Sequence, residues 1–532
     1  KLLLSVLLGA AAPVLAMSPQ EGQAPEDQTG TASEEKDLTF QQTIEVTTTP
    51  NLPQEVRTSG EEIRERNPAD LAEVMRREPG LDALRQGPIN LDPQIRALRE
   101  TQLLVLVDGT RTHPAGPARM DSEMSHVDPD MVENLRIIKG PYALSWGSGA
   151  MAAISVDTFE APFRKAGLGG GGRLTLGYGD NADARNAGAL GWLAGERWRL
   201  TLLHDSRQGH DYESGGGVTV PGDYTSHTSR WTLGLQPRPG LALAYRGGYQ
   251  RQDDIDYPGR LLDATYFAHR SHSLEGAWQL QGGQMFGQLY SSFKDHLMNN
   301  DERPSPMRVR FPTQSDTVGA RTVATWSVAG FDLEAGMDGF RLEQQATRRV
   351  SRRDTGAIVS LDTPWPDVEI ERAGVHLQAT LPRPRWSLTG TVRLDTESAT
   401  VGTVSELFRQ EAGGDLEGYD TEPSLALAAR WQVGEAWSLM AGAGRVVRFP
   451  TGLERYSDRF PGTRYQISAE FLGDPGLEPE DAVQLDLGAA WAANRTSVDV
   501  QVFYRVLDQP ITLLPDPTLS RRLPSSPPLV YR

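Results

Sequence analysis

From Gly172 onward, apolar residues recur at every second position. Leu174, Leu176 and Tyr178 alternate with Arg173, Thr175 and Gly177, and Trp198, Leu200 and Leu202 alternate with Arg199 and Thr201. The same period of two returns in Trp231 to Tyr245 around the turn Pro237-Arg238-Pro239-Gly240, in Trp386 to Leu394 after a turn at 382–385, and in Val498 to Tyr504. Strict alternation predicts strands with one apolar and one polar face. Several runs begin or end on an aromatic, and short turns alternate with long polar connections such as 205–228 and 395–423. Together these predict a transmembrane antiparallel β-barrel over residues 172–532, with an apolar outside and a wet inside; a soluble β-sandwich would show similar alternation, and only the motifs ahead of it speak against that.

Ahead of it the pattern is different. Residues 1–16 are a basic start and a short apolar run ending in Val14-Leu15-Ala16, as expected of a secretory signal peptide. Residues 17–41, rich in Gln, Glu, Thr, Ser and Pro, lack the apolar groups to build a core and predict a disordered tail. Residues 49–160 predict an α+β domain. A helix is expected within Glu61–Arg77, with Asn67 as N-cap and Pro68 at its first position. The run Leu103-Leu104-Val105-Leu106-Val107 predicts a buried strand. Leu135 to Ile138 predicts a strand that stops at Lys139-Gly140-Pro141, and Gly140, Gly147 and Gly149 then let the backbone turn or another segment approach closely.

Composition narrows the function. The 532 residues carry a net charge of −17 with 54 glycines and no cysteine, so disulfides, thiolate metal sites and cysteine nucleophiles are excluded. No basic stripe offers a surface to nucleic acid. No window holds the roughly 18 apolar residues of a membrane helix. No recognisable set of nucleophile, base and orienting group points to an enzyme, and no phosphate-binding Gly-rich loop is present.

Four ordered motifs resemble the plug domain of TonB-dependent outer-membrane receptors: the helix and turn Pro68 to Leu81, Gln94-Ile95-Arg96-Ala97-Leu98, Leu103 to Gly109, and the run Asp128 to Asp157. Ala97 stands where the family usually has Gly. Arg448-Phe449-Pro450 and Gly473-Asp474-Pro475-Gly476-Leu477-Glu478-Pro479-Glu480 resemble its barrel motifs, with Glu478 and Glu480 expected as turn residues. The resemblance implies an N-terminal plug inside a 22-stranded barrel in the bacterial outer membrane. The residues from Gly172 onward leave about 16 per strand with its loop, so the barrel is expected to continue beyond this sequence. It also implies that Gln42, Thr43, Ile44, Glu45, Val46, Thr47 and Thr48 form a TonB box, which pairs with the periplasmic partner TonB by strand addition. A first edge strand of the plug is the alternative for that segment.

Three further stretches resemble the copper-receptor branch: Arg119-Met120-Asp121 with Ser125-His126-Val127-Asp128-Pro129, Asp254-Ile255-Asp256-Tyr257-Pro258-Gly259, and Asp295-His296-Leu297-Met298. The resemblance implies copper ion as transported substrate, with Met120, His296 and Met298 as ligands and no resident cofactor. Thioethers suit Cu(I) and imidazole suits copper generally. His296 and Met298, two apart in a strand, share a face. The branch's Cys falls on Gly116, which leaves three alternatives: a weaker His/Met site, a site completed by Met124, His113 or His126, or no copper binding. A ferric siderophore or cobalamin is the rival substrate, and a non-transporting signalling or adhesion receptor the rival class.

Overall fold

The computed structural model describes residues 54–532 apart from 413–414, 459, 465–466, 494 and 520–527. The expected signal peptide, tail and TonB box at 42–48 lie outside the described residues.

The plug is built on a five-stranded sheet. Its order is β1 (Glu55–Ser59), β7 (Val132–Ile138), β8 (Ala152–Thr158), β5 (Leu103–Val107) and β6 (Thr110–Arg111). The apolar run of β5 is buried throughout and pairs parallel to β8. A second sheet joins β2 (Leu81–Gly87), β3 (Asn90–Ile95) and β4 (Leu98–Arg99).

The helix expected to start at Pro68, with Asn67 as N-cap, begins only at Leu71, and a second helix precedes it. α1 (Gly60–Arg66) ends at Asn67, which takes a left-handed conformation as its C-cap, and α2 (Leu71–Met75) starts on Asp70, whose carboxylate accepts from the Ala72 N–H. Pro68 is the physical reason. It disfavours helical backbone at the residue before it and brings no N–H of its own, so Asn67 closes a helix rather than opening one. Ala97 also takes a positive φ of 66°, which accounts for glycine being usual there.

Around the plug, fifteen antiparallel strands among the described residues form one sheet in sequence order, from Gly169–Gly179 to Thr496–Asp508. The first strand starts three residues before the expected Gly172, because the glycine run itself pairs with residues up to Ala194. Along Trp386–Thr400, the side chains of Trp386, Leu388, Val392 and Leu394 face out, while Thr389, Thr391, Arg393, Asp395 and Glu397 are buried inside. This inverts a water-soluble protein and fits lipid outside and polar plug contacts inside. Trp386 lies opposite Trp431, and Trp437 opposite Trp491, all beside short turns. They form part of an interfacial aromatic belt. No helix among the described residues is long and apolar enough to cross a membrane.

The glycines of the 128–157 run serve packing between plug and barrel. A Cβ on Gly140 would lie 2.7 Å from Gln484 of the barrel wall. Reciprocally, Pro141 and Tyr142 press onto barrel Gly444 and Gly442, where a Cβ would lie 2.7 and 2.3 Å from them. A Cβ on Gly147 would meet Leu104 at 3.3 Å, and Gly149 has a φ of +72° that other residues rarely adopt. Ion pairs complete the fit: Arg96 to Asp486 at 2.6 Å, Arg230 to Asp108 at 2.8 Å, and Arg207 to Asp128 at 2.8 Å. Glu480, expected as a turn residue, is buried at the head of strand Glu480–Ala493 and pairs with Arg448, which also holds Glu454 and the plug's Thr101. Glu478 is exposed, as a turn residue should be.

Candidate functional site

One barrel strand, Gly283–Asn299, presents an inward row in which Ser292, Lys294, His296 and Met298 succeed one another, all buried. His296 and Met298 therefore share the lumen face, as their spacing requires. Facing them is the plug loop that follows β6. Its shape is set by Asp121, whose carboxylate accepts from the backbone N–H groups of Ala115 at 2.7 Å and Gly116 at 2.8 Å. Arg119, with a positive φ of 53°, braces the same loop by pairing with Asp92 and Glu123. The Met120 carbonyl accepts from Asn90 and, at 2.7 Å, from the Tyr257 hydroxyl. Tyr257 belongs to the Asp254–Gly259 turn, in which the sequence shows no ligand chemistry; the structure gives that turn the task of holding Met120.

The candidate ligands divide into two groups. Met120 and Met298 pack into one apolar cluster with Phe267, Phe311 and Phe340. Met124 lies elsewhere, in the plug's own core with Leu71, Val127 and Met131. His296 stands edge-on to Phe267, with ring centroids 4.1 Å apart, and neither of its ring nitrogens has a hydrogen-bond partner among the described residues. His126 bonds Gln250 through Nδ1 at 2.8 Å, while its Nε2 lies 3.7 Å from the Asp121 carboxylate. His113 bonds Thr317 at 3.0 Å. Gly116 abuts the site: a Cβ there would lie 2.9 Å from Asp121 Oδ1 and 3.2 Å from His296 Nδ1.

Burial pushes the His126 imidazole below its ordinary range, and does so more strongly for His113 with help from Arg111. Both are therefore neutral at pH 7, the form that can bind a metal. Burial would raise the Asp121 carboxyl, but its contact with His126 and the nearby Lys294 ammonium hold it below the usual carboxylate range.

Beside Gly116 opens a cavity of about 80 Å³, lined by Arg111, His113, Arg119, Phe340, Arg372 and Arg448 among others. Arg119, Arg372 and Arg448 are matched by carboxylates. Arg111 instead donates to the carbonyl and hydroxyl of Ser148 and lies 5.0 Å over the Phe340 ring. No local sequence pattern marks the cavity, or marks Tyr257 as a site residue. Only the Met-Asp step in the plug loop hinted at Asp121.

Residues 49–154 match the model of the TonB-dependent receptor plug domain, and residues 169–524 match that of the TonB-dependent receptor-like β-barrel. The vitamin B12 transporter BtuB of Vibrio vulnificus is 22% identical over 471 residues, covering 85% of this chain and 66% of the transporter. The chain thus spans about two thirds of the length of this relative and of its Photobacterium profundum counterpart. Among solved structures, the copper transporter OprC superposes with a TM-score of 0.78 at 22% identity, covering 90% of this chain and 76% of OprC. The Serratia marcescens hemophore receptor HasR gives 0.72 at 16% identity, covering 90% and 77%. The ferric enterobactin receptor PfeA gives 0.67 at 15%, covering 91% and 76%. At these identities the superpositions speak for the fold alone, but the plug and barrel matches together take in most of the sequence. The chain belongs to the TonB-dependent receptors, a family of plugged β-barrels of the bacterial outer membrane.

Proposed function

We propose that the chain is a TonB-coupled active transporter whose substrate is copper ion. Substrate would enter from outside onto the plug loop, and TonB, engaging residues 42–48, would supply the force that rearranges the plug. The observation that supports a metal is the shared inward face of His296 and Met298 beside Met120 and the Gly116 loop. Copper accumulation in cells carrying the double variant Met120→Ala and His296→Ala tests the substrate. Accumulation equal to that of the wild type removes the copper reading.

A second reading has its own support. The arginine-lined cavity, with the Arg111 guanidinium turned toward Ser148 and Phe340, favours an anionic metal chelate over a bare cation. Ferric siderophores fall in this class, and cobalamin is the other bulky candidate. Competition of labelled ferric chelate or cobalamin uptake with free copper separates the two readings. Deleting residues 42–48 tests transport itself, since a signalling or adhesion receptor would lose nothing measurable in uptake.

A further inference from the structure

The hairpin of strands Met307–Val328 and Phe331–Arg352 is longer than a lipid bilayer requires. Its outward row begins beside the short turn at 329–330 with Val328, Trp326 and Ala324, and stays largely apolar as far as Val318. At the strand rise and tilt of such barrels this stretch spans about 25 Å, the height of the apolar band. Val318 lies opposite Arg341, where outward charges begin. There they neutralise one another: Arg341 pairs with Glu343 at 2.7 Å and Glu369 at 2.8 Å, and on the neighbouring strands Arg270 pairs with Asp295 at 3.0 Å.

Eight residues beyond Val318 the matching stops. Arg310 lies directly opposite Arg349, both exposed, and Arg308 is the next outward residue, while Val309, Phe311 and Val350 beside them turn inward and are buried. Arg308 pairs with Asp301 at 2.8 Å, but Arg310 and Arg349 have no carboxylate partner among the described residues. Like charges directly opposite on a sheet repel, and the chain, with 70 acidic against 53 basic residues, has carboxylates to spare. The pair stands roughly 20 Å above Val318 along the barrel axis. That is the layer of sugars and phosphates outside the acyl chains.

We propose that the outward face of this hairpin binds the phosphorylated glycolipid of the outer leaflet, lipopolysaccharide, with Arg310 and Arg349 holding a phosphate of its core sugars. Guanidinium forks match phosphate oxygens bidentately, and two of them on one face surround the anion that relieves their own repulsion. The occupant is a lipid because this row continues the lipid-facing row of the same strands and points away from the lumen. The assignment is independent of which substrate the lumen takes.

The test uses the purified full chain in detergent, stripped of lipid, to which lipopolysaccharide, the same lipid without its phosphates, or inorganic phosphate is added. Lipopolysaccharide raises the melting temperature and comigrates with the wild type on native electrophoresis. Arg310→Gln with Arg349→Gln weakens this binding about ten-fold or more, whereas Arg341→Gln, in the self-neutralised row, leaves it unchanged. Equal melting of wild type and double variant without lipid shows that the fold is kept. Equal affinity in the double variant, an equal loss in Arg341→Gln, or an equal response to the dephosphorylated lipid overturns the proposal. So does a response to inorganic phosphate as large as that to the lipid.

Discussion

The Tyr257 hydroxyl of the barrel turn donates to the carbonyl of Met120 in the plug loop at 2.7 Å, with both residues buried. It joins plug and barrel at the candidate site, together with the bonds of His126 to Gln250 and His113 to Thr317. Tyr257→Phe removes the donor and keeps the ring, and we expect a loss of about 1 kcal/mol of stability, read by thermal unfolding in detergent. Copper accumulation should fall in the same variant, because the backbone that carries Met120 loosens.

Gly116→Cys returns sulfur to the site. The new Cβ would crowd Asp121 Oδ1 at 2.9 Å and His296 at 3.0 Å, so the carboxylate that holds the loop must shift by a few tenths of an ångström. Thiolate is the strongest soft donor available, so affinity for Ag⁺, a redox-stable stand-in for Cu(I), should rise by about ten-fold or more, measured by titration against the wild type.

Ala97→Gly should stabilise the plug. Ala97 has φ +66°, a conformation that costs a non-glycine residue about 1–2 kcal/mol. Part of that gain is offset by the extra freedom of glycine in the unfolded chain. The net is about 0.5–1 kcal/mol, read from the denaturant midpoint.

Asp70 makes plug stability depend on pH. Burial raises its carboxyl to about 7, against an opposing effect of Arg85. A raised folded pKa favours the protonated, folded form. Its contribution is complete below the unfolded value near 4, and is lost as pH rises through 7, at a slope of up to about 1.4 kcal/mol per pH unit. Asp70→Asn keeps an acceptor for the Ala72 and Leu91 N–H groups that Asp70 now serves. The variant should flatten the decline of melting temperature between pH 4 and 7.

Leu427→Arg tests the lipid face. Leu427 points outward and is half exposed, while its neighbours Ala426 and Ala428 are buried against the interior. Arginine there should cost about 2–4 kcal/mol if the side chain sits near the bilayer midplane, measured by refolding into vesicles. Thr391→Ser, on the inward face, should change vesicle refolding little.

How far the sequence reaches depends on whether a feature is periodic or assembled. Alternation of two, as in Trp386 to Leu394, is a local property of a strand between lipid and lumen, so the barrel and its outward face were legible. The plug motifs are equally local, so the family resemblance is carried by the sequence itself. The helix start expected at Asn67 and Pro68 lies instead at Asp70, because Asn67 can end a helix as well as begin one and Pro68 disfavours helical backbone at the residue before it.

At the site, the sequence by itself determined that His296 and Met298 share a face and that no thiol is available. The tertiary structure alone decided which plug atoms meet them. It placed Met124 in the plug core, set Tyr257 against the Met120 carbonyl, and put Asp121 between His126 and the empty position at Gly116. These residues lie up to 180 positions apart in sequence, on a loop and a strand whose separation across the lumen is fixed by how the plug docks. That docking comes from glycines on each side admitting the other's backbone and from buried pairs such as Arg96 and Asp486, and no local pattern encodes it.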